Sequence, residues 1–469
     1  MEILHVSAEC YPVAKAGGLG DVVGALPKYQ SRLGHIAKVV MPMYRTKFLY
    51  EHEFDVVHKG GIAVANYRLD YTVIKERLNI LGFDLYLVDI FGLLDREKIY
   101  GYGDDTYRFV AFQNAVVDWI SKWQHRPDVV HVHDHHTALI PFMMKYCHQY
   151  NFLGGIKTNL TIHNAQYQGW MGWDQSNMLP SWDLTRWGFL DWDNTVNSLA
   201  AGVKCASTVN TVSHGYLEEL RWNANGLEQL FEYERGKCFG ILNGIDTEVW
   251  NPETDPYLKY PFNAASFETG KFANKKILCR KFNLDPDKPL IIFIGRLVGE
   301  KAADLLPQAI TDSIFYMEGK MNFLVLGSGE PDVEYQLENI KSHLFGYYNS
   351  QIGYNEKLSH QMYAGADFLL MPSRVEPCGL NQMYALRYGT IPLVRKTGGL
   401  SDTVKDIGEE NGFGICFNDA TVGEISHAVY RAITLYNDKN RMRNIIEYIM
   451  KIDHSWERSA EIYINLYKA

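Results

Sequence analysis

The stretch that decides the fold is Lys15-Ala16-Gly17-Gly18-Leu19-Gly20-Asp21. The apolar residues 3–7 before it predict a buried strand, and residues 22–27 after it have the pattern of the first turns of a helix. A strand, a glycine turn and a helix N-terminus form a place for anions, because backbone N–H groups and the helix dipole both favour negative charge there. The glycines let a ligand approach the main chain, and Lys15 adds a full positive charge.

The glycine spacing excludes two common nucleotide-binding motifs. Gly24 comes one residue too late for G-x-G-x-x-G, and no Gly-Lys-Ser/Thr follows, as a Walker loop requires. The alternative interpretation is an ordinary strand-to-helix turn that carries a solvated lysine. The heptapeptide alone leaves both interpretations open.

Length and composition indicate a folded protein of more than one domain. At 469 residues the chain exceeds one ordinary core, so two or three domains are expected. The net charge of −9 is not typical of a nucleic-acid binder or of a protein that binds anionic membranes. Neither a nucleic-acid nor a membrane partner is therefore expected, and no apolar run reaches membrane-spanning length.

The cysteines and the N-terminus indicate a cytoplasmic location. The seven cysteines are scattered, odd in number and without a C-x-x-C pair, which argues for reduced thiols and against a disulfide framework or a thiolate zinc site. The first residues lack the basic region and the cleavage site of a secretory signal.

Strand and helix patterns alternate along the first half of the chain. Residues 50–75 suggest a local antiparallel piece, and residues 108–123 have helical spacing. Further strands are predicted over 37–42, 84–89, 128–133, 159–164 and 205–213, and the last three run into polar residues at their carboxyl ends. Polar carboxyl ends are typical of the ligand crevice of an open parallel sheet.

The alternation restarts after a turn-rich stretch at residues 239–260, which predicts a domain boundary near residue 243. Helical patterns at 302–316 and 380–388 separate the later strands, and amphipathic helices are predicted near 422–436 and 440–467. The later strands are 290–295, 322–327, 367–371 and 390–394. We therefore predict a second doubly wound parallel sheet, with a ligand crevice between the two sheets.

Two cations follow a strand of the second half. Arg296 offers a planar fork of donors to phosphate oxygens, and Lys301 adds a compact charge. Fixed cations of this kind stabilise a departing diphosphate without a metal. The alternative is that either side chain pairs with Glu300 or Asp304.

Glu376 lies between another strand and another helix. A carboxylate there can accept hydrogen bonds from two sugar hydroxyls at once. The alternative is a glutamate favoured by the helix dipole at a helix N-terminus. Gly398-Gly399 downstream supplies a second glycine turn into a helix.

Four histidines and an aspartate lie together at residues 131–136, with His163 further on. The cluster suggests a metal at first sight, but strand alternation and the absence of H-E-x-x-H spacing argue against one. Asp134 and His163 at the ends of neighbouring strands are instead expected to hold substrate. Five tryptophans between residues 168 and 192 could stack on a glucan or pack on one another as a lid.

Together these residues resemble the bacterial glycogen synthases and the related plant starch synthases, over essentially the whole chain. The resemblance depends on the order and separation of the motifs rather than on any one of them. The motifs are Ser7-Ala8-Glu9, the heptapeptide with Val22, His133-Asp134, Thr161-Ile162-His163-Asn164, Asn243-Gly244-Ile245-Asp246, Gly295-Arg296-Leu297, Lys301, Glu376-Pro377-Cys378-Gly379-Leu380 and Thr397-Gly398-Gly399-Leu400.

The resemblance implies an α/β protein with the GT-B glycosyltransferase fold, two Rossmann-like doubly wound domains that face each other across a cleft. The implied boundaries are an acceptor-side domain over 1–243, a nucleotide-side domain over 244–452 and a C-terminal helix over 453–469 that crosses back. The implied activity is retaining transfer of glucose from ADP-glucose to the non-reducing end of glycogen or another α-1,4-glucan, with release of ADP. Neither a metal nor pyridoxal phosphate is implied.

The resemblance also implies which residues form the site. The catalytic set is Glu376, Arg296, Lys301, His163 and Asp134. The substrate-binding set is Lys15, Gly17, Gly18, Asp21, Asn243, Cys378, Gly379, Leu380, Gly398 and Gly399. Ala16, His135 and Ala302 depart from the residues usual in the family, and each could shift kinetics or donor choice.

Three other functions stay open from the sequence. One is a catalytically idle protein that binds glucan or nucleotide on the same scaffold, and another is a synthase that prefers UDP-glucose. A third is a phosphorylase-type enzyme, for which no pyridoxal motif is visible. The sequence does not indicate an oligomeric state.

Overall fold

The computed structural model describes residues 1–468, which divide into two compact units. Unit 1 consists of Met1–Gly244 and the segment from Trp456 onward, and unit 2 is Ile245–Ser455. The chain therefore completes unit 2 before its last helix returns to unit 1.

The strands and helices of unit 1 alternate through most of its length. Its strands are β1 (Glu2–Val6), β2 (Ile36–Pro42), β3 (Phe54–Val64), β4 (Tyr67–Glu76), β5 (Asp84–Asp89), β6 (Val129–His133), β7 (Lys157–Ile162), β8 (Trp170–Met171), β9 (Asp191–Trp192), β10 (Thr195–Asn197), β11 (Thr208–Thr211) and β12 (Cys238–Gly240). The helices before unit 2 are α1 (Gly18–Arg32), α2 (Lys47–Glu51), α3 (Asp105–Ser121), α4 (Ile140–Tyr146), α5 (Ser198–Cys205), α6 (His214–Leu220) and α7 (Glu228–Tyr233).

The main sheet of unit 1 has the strand order β12-β11-β7-β6-β1-β2-β5-β4-β3. It is parallel from β12 to β5, and β3 and β4 form the predicted antiparallel piece at one edge. Because β1 pairs with β2 on one side and with β6 on the other, the order reverses between β1 and β6. Ligands bind open parallel sheets at the carboxyl ends of such strands, and the loops that carry Lys15 and Asp134 begin there.

Unit 2 is a parallel α/β sheet with the strand order β15-β14-β13-β16-β17-β18. Its strands are β13 (Leu290–Leu297), β14 (Asn322–Gly329), β15 (Tyr348–Ile352), β16 (Phe368–Met371), β17 (Ile391–Arg395) and β18 (Ile415–Phe417). Its helices are α8 (Phe267–Phe282), α9 (Leu306–Tyr316), α10 (Pro331–His343), α11 (Glu356–Gly365), α12 (Asn381–Arg387), α13 (Gly398–Thr403), α14 (Val422–Asn437) and α15 (Lys439–Ile449). The order reverses between β13 and β16, so Arg296 and the loop that carries Glu376 both lie at the carboxyl edge of the sheet, where open parallel sheets bind ligands.

The last helix, α16 (Trp456–Lys468), packs into the core of unit 1. Trp456, Tyr463 and Tyr467 are buried against Ile3 of β1 and against the apolar face of α1. Each buried large side chain contributes roughly 2 kcal/mol, so this contact is a substantial part of the stability of unit 1.

Two sequence predictions differ from the structure. The helix predicted over 440–467 is divided into α15 and α16, since residues 450–455, the last of unit 2, are not helical. The helix predicted from 302 begins at Leu306, because Ala302 has a φ of 52° and interrupts a regular helix. In unit 2, the strands β15 and β18 and the helices α8, α10 and α11 were not predicted, since their apolar patterns are short or weak.

Within residues 1–468 we find no helix that combines the length and the apolar character needed to span a membrane.

Candidate functional site

The glycine loop of unit 1 leads from β1 into α1, as the heptapeptide predicts. Lys15 Nζ lies 2.7 Å from the Asp21 carboxylate, and both side chains are partly exposed. A Cβ added to Gly17 or Gly18 would meet nothing within 4 Å, so one face of the loop is open to a ligand. Asp21 therefore neutralises and orients the lysine beside an unobstructed stretch of main chain.

Glu9 is the residue at this loop whose role the sequence analysis missed. Its carboxylate accepts hydrogen bonds from the N–H groups of Ala16 (2.6 Å) and Gly17 (2.9 Å) and from the Tyr100 hydroxyl (2.7 Å). Two of the N–H groups expected to face an anion are therefore already paired within the protein. In the sequence Glu9 was quoted only as part of the motif Ser7-Ala8-Glu9, which gave it no role at this loop.

Asp134 follows β6 directly and has a left-handed backbone with a φ of 56°. One carboxylate oxygen accepts hydrogen bonds from the N–H groups of His163 (2.7 Å) and Asn164 (3.5 Å). Burial raises the pKa of this carboxyl to about 7, and the two N–H groups oppose the rise in pKa. The structure thus brings Asp134 and His163 together, and Asp134 holds the loop that carries the histidine.

His163 is partly buried at the end of β7 and donates to or accepts from the ring of His133 across 3.0 Å. Burial lowers the pKa of the His163 imidazole to about 3, so it is neutral at physiological pH. A neutral imidazole offers one donor and one acceptor, which suits a sugar hydroxyl rather than a phosphate.

Asn243 is buried at the end of unit 1, and its Oδ1 has no hydrogen-bond partner among residues 1–468. A buried amide oxygen without a donor costs free energy. The atom is therefore a candidate acceptor for a ligand hydroxyl.

In unit 2, Arg296 and Lys301 each hold a carboxylate. Arg296 Nη2 lies 2.9 Å from Glu300, as one alternative interpretation expected, and about half of the arginine side chain stays exposed. Lys301 Nζ lies 2.7 Å from each carboxylate oxygen of Glu376. Arg374, which the sequence analysis did not single out, pairs with Asp304 instead.

Glu376 is nearly buried and accepts a further hydrogen bond from the Ser373 hydroxyl at 2.7 Å. Cys378 is buried and Leu380 is partly exposed just before α12. The structure therefore places the predicted Glu376 to Leu380 segment beside Lys301.

The Gly398-Gly399 turn packs against this segment. A Cβ on Gly398 would lie 2.2 Å from the Glu376 carbonyl oxygen, and one on Gly399 would lie 2.1 Å from the Cys378 carbonyl oxygen. Gly379 has a φ of 71°, a conformation that favours glycine. These three glycines shape the main chain that carries Glu376, which is a positioning role that the sequence alone did not predict.

Metal-ligand spacing occurs among the described residues at His5, His131 and His133, whose ring nitrogens lie within 4.8 Å of one another. These rings are buried and hydrogen bonded to protein groups, so a metal there would have to displace those bonds. His135 is partly buried, and its buried Nδ1 lacks a partner among residues 1–468.

The tryptophans between residues 168 and 192 differ in exposure, which bears on whether they stack on a glucan or pack on one another. Trp182 is buried, whereas Trp187 is 56% exposed. Trp192 lines a cavity of about 480 Å³ together with Phe189, Lys204 and Tyr233.

Comparison with known proteins shows the family and the fold of the chain. The family model "Starch synthase catalytic domain" matches residues 2–233, and "Glycosyl transferases group 1" matches residues 274–450. A glycogen synthase of Flavobacterium johnsoniae is 52% identical over 467 residues, covering 100% of this chain and 98% of that protein. The chain belongs to the glycogen synthase family. A glycogen synthase of a Hydrogenobaculum species is 38% identical, with 100% and 98% of the two chains covered.

The fold of this family member is GT-B, with two Rossmann-like domains. The catalytic domain of starch synthase IV from Arabidopsis thaliana, solved bound to ADP and acarbose, aligns with a TM-score of 0.90 and 31% identity, covering 100% of this chain and 98% of that one. A sucrose-phosphate synthase from Thermosynechococcus elongatus aligns with a TM-score of 0.63 at 16% identity, over 99% of this chain and 98% of that one, and supports the fold alone.

Proposed function

We propose that this protein is a retaining glucosyltransferase that moves glucose from ADP-glucose to the non-reducing end of an α-1,4-glucan and releases ADP. The observation that carries the proposal is that Arg296, Lys301 and Glu376 lie at the carboxyl edge of the sheet of unit 2, in a member of the glycogen synthase family. The structural neighbour from Arabidopsis thaliana, solved with ADP and acarbose, supports both the nucleotide and the glucan.

The proposed roles follow from charge and burial. Arg296 and Lys301 bind the diphosphate and stabilise its negative charge as the glycosidic bond breaks. Glu376, nearly buried and held by Lys301 and Ser373, accepts hydrogen bonds from the glucose hydroxyls. In unit 1, Lys15 binds the sugar nucleotide.

The remaining residues of unit 1 suit neutral sugar groups. Asp134, His163 and Asn243 offer acceptors to such groups: the raised pKa of the carboxyl reduces its negative charge, and the lowered pKa of the imidazole keeps it neutral. We propose that they contact glucose and acceptor hydroxyls.

The proposal includes no metal and no pyridoxal phosphate, because Arg296 and Lys301 supply the positive charge that the leaving group needs. Turnover is expected to survive dialysis against a chelator, and the purified protein is expected to show no visible absorbance band from a Schiff base. A chelator-sensitive activity restored by Mg²⁺ would contradict this part of the proposal.

The test is a donor panel. ADP-, UDP- and GDP-glucose are each incubated with glycogen, and nucleoside diphosphate release and chain lengthening are measured together. ADP-glucose is expected to give the fastest release, and proton NMR is expected to show new α-1,4 linkages. Preference for UDP-glucose would correct the donor. If no donor releases a nucleoside diphosphate but the protein co-sediments with glycogen, the protein is a catalytically idle glucan-binding protein and the proposed activity is wrong.

A further inference from the structure

A row of buried polar side chains leads inward from His163 in unit 1. His163 Nε2 lies 3.0 Å from His133 Nδ1, and His133 Nε2 lies 3.1 Å from His5 Nδ1. His5 Nε2 lies 2.8 Å from the Gln30 side-chain oxygen on α1. Three imidazoles are thus joined end to end between the candidate site and the first helix.

The row continues from Gln30 through the last helix. Gln30 Nε2 donates to the Tyr467 hydroxyl at 3.1 Å, and that hydroxyl lies 2.7 Å from His131 Nδ1. His131 Nε2 lies 2.6 Å from the Thr161 hydroxyl, which donates to Asn210 Oδ1 at 2.7 Å. Apart from His163, every member of the row is buried.

The histidines of the row are neutral. Burial lowers the pKa of His5 to about 4 and that of His163 to about 3, and it lowers the pKa values of His131 and His133 well below the usual 6.5. A neutral imidazole has one N–H and one bare nitrogen, so each ring can donate in only one direction. The direction of one hydrogen bond therefore determines that of its neighbour.

At the end of the row far from His163, a main-chain carbonyl determines the direction of the hydrogen bonds. Asn210 Nδ2 donates to the Thr211 carbonyl oxygen at 3.3 Å, while Asn210 Oδ1 accepts from Asn159 at 2.9 Å. A carbonyl oxygen can only accept, so the Asn210 amide cannot be reversed without loss of this bond. Thr161 must then donate its single proton to Asn210 Oδ1 and accept from the N–H of His131.

The direction of each further hydrogen bond follows in turn, from His131 to His163. His131 Nδ1 is bare, so Tyr467 donates its proton there, and its oxygen accepts from the Gln30 amide. The Gln30 oxygen consequently faces His5, which donates from Nε2. His133 and then His163 also donate from Nε2.

We infer that Tyr467 and Gln30 are positioning residues that hold His163 as the Nε2–H tautomer. Its bare Nδ1 has no hydrogen-bond partner among the described residues and is left as an acceptor for a substrate hydroxyl. The tautomer follows from the hydrogen bonds between neutral rings. That Nδ1 accepts from a substrate hydroxyl rests on the proposed function. A helix at the far end of the chain therefore determines the chemistry of one nitrogen in the site.

The test combines ring NMR with kinetics. Protein labelled with ¹⁵N in its histidine rings is examined by long-range ¹H–¹⁵N correlation, which distinguishes a protonated from a bare ring nitrogen, and His163→Asn assigns the signal. Wild-type protein is expected to show His163 protonated at Nε2 alone. Protonation at Nδ1 would overturn the inference, even if donor-panel turnover is normal.

Tyr467→Phe is the variant that tests the row, and Tyr463→Phe is its matched control. The first removes the acceptor that orients the Gln30 amide, so that the amide can rotate and reverse the hydrogen bonds as far as His163. The second removes a buried hydroxyl from the same helix, but Asn210 keeps its bond to the Thr211 carbonyl.

Tyr467→Phe is expected to populate the Nδ1–H tautomer of His163 and to lower kcat about three- to tenfold, the scale of one hydrogen bond. Tyr463→Phe is expected to retain the wild-type tautomer and kcat. If Tyr467→Phe does not fold, Gln30→Met removes the same orientation and is expected to give both tautomers. Identical His163 signals in the wild type and in a folded Tyr467→Phe or Gln30→Met variant would overturn the inference. A wild-type Nε2–H tautomer without glucosyl transfer would instead contradict only the proposed function.

Discussion

Arg296 is the half-exposed cation at the carboxyl end of β13, held 2.9 Å from Glu300. In the proposed reaction its guanidinium donates to the diphosphate while the negative charge develops. Loss of one such donor commonly costs a factor of 10² to 10³ in kcat. The ion pair with Glu300 keeps the donor in place before substrate binds.

We therefore expect Arg296→Ala to lower kcat with ADP-glucose at least about 10²-fold, with a smaller loss in Arg296→Lys, which keeps the charge but not the fork. Steady-state release of ADP measures both. Arg443→Ala is the control, because Arg443 is an exposed arginine of unit 2 paired with Glu268. Near wild-type turnover in Arg296→Ala would show that Arg296 does not stabilise the departing diphosphate.

Asp134 makes the stability of unit 1 depend on pH. Its pKa is raised to about 7 in the folded protein from 3.8 in the unfolded chain. Between these values the folded state binds more protons than the unfolded state, so the free energy of unfolding falls as pH rises. The loss from this one group between pH 5 and pH 7.5 is about 2–3 kcal/mol.

Asp134→Asn keeps an oxygen that can accept from the His163 N–H and removes the titration. Relative to wild type, the variant is expected to gain about 2–3 kcal/mol in free energy of unfolding between pH 5 and pH 7.5, measured by urea titration at both values. Asp70→Asn is the control, since that side chain is 90% exposed. A wild-type-minus-variant difference that does not change with pH would contradict a raised pKa for Asp134.

At the scale of elements, the loop that carries Glu376 is shaped by a turn that follows it in sequence. α13 begins at Gly398, and its first residues lie against the main chain of residues 376–378. The Gly399 N–H donates to the Glu376 carbonyl at 3.1 Å. The position of a predicted catalytic carboxylate therefore depends on the absence of two side chains.

Gly399→Ala is expected to destabilise unit 2 by at least about 2 kcal/mol and to lower kcat, because its Cβ would force the Cys378 carbonyl aside. Thermal melting and ADP release measure the two effects. Gly423→Ala in α14 is the matched control, since a Cβ there meets nothing within 4 Å. Equal melting temperatures for the two variants would show that the turn does not constrain the Glu376 loop.

At the scale of the whole molecule, unit 1 is built from two separate parts of the chain, residues 1–244 and the last helix. Unit 2 is continuous, whereas unit 1 requires α16, which the chain adds last. Trp456, Tyr463, Ile464 and Tyr467 are buried in unit 1, and together they contribute on the order of 8 kcal/mol. That amount is comparable with the whole stability of a typical domain.

We therefore expect a fragment of residues 245–455 to fold alone and a fragment of residues 1–244 to remain without fixed tertiary structure. Addition of a peptide with the sequence of α16 is expected to restore near-UV circular dichroism to the second fragment. A peptide with the sequence of α15 is the control. Cooperative melting of residues 1–244 without any peptide would show that α16 is dispensable for the fold.

The sequence by itself determined the local features of this protein. The alternation of strands and helices, the glycine loop at Lys15 and the placement of Glu376 after a strand are confirmed, because each depends on residues within a few positions of one another. Arg296 lies within the last two residues of β13, which runs two residues further than predicted. The candidate site residues stay predictions: Asp134 and His163 were singled out as polar side chains at strand ends, whereas Asn243 was assigned only by the family resemblance.

Only the tertiary structure decided how these pieces are joined. The pairing of Glu9 with the loop of Ala16 and Gly17, the packing of Gly399 on Cys378 and the hydrogen bonds from α16 to Gln30 and His131 link residues without a shared sequence pattern. Such contacts leave no period in the sequence, because their geometry is created only when the sheet order brings the strands together. The residue types of the candidate site are therefore encoded locally. The direction of the hydrogen bonds that reach His163, and the contacts that hold the loops of Lys15 and Glu376, are properties of the folded molecule.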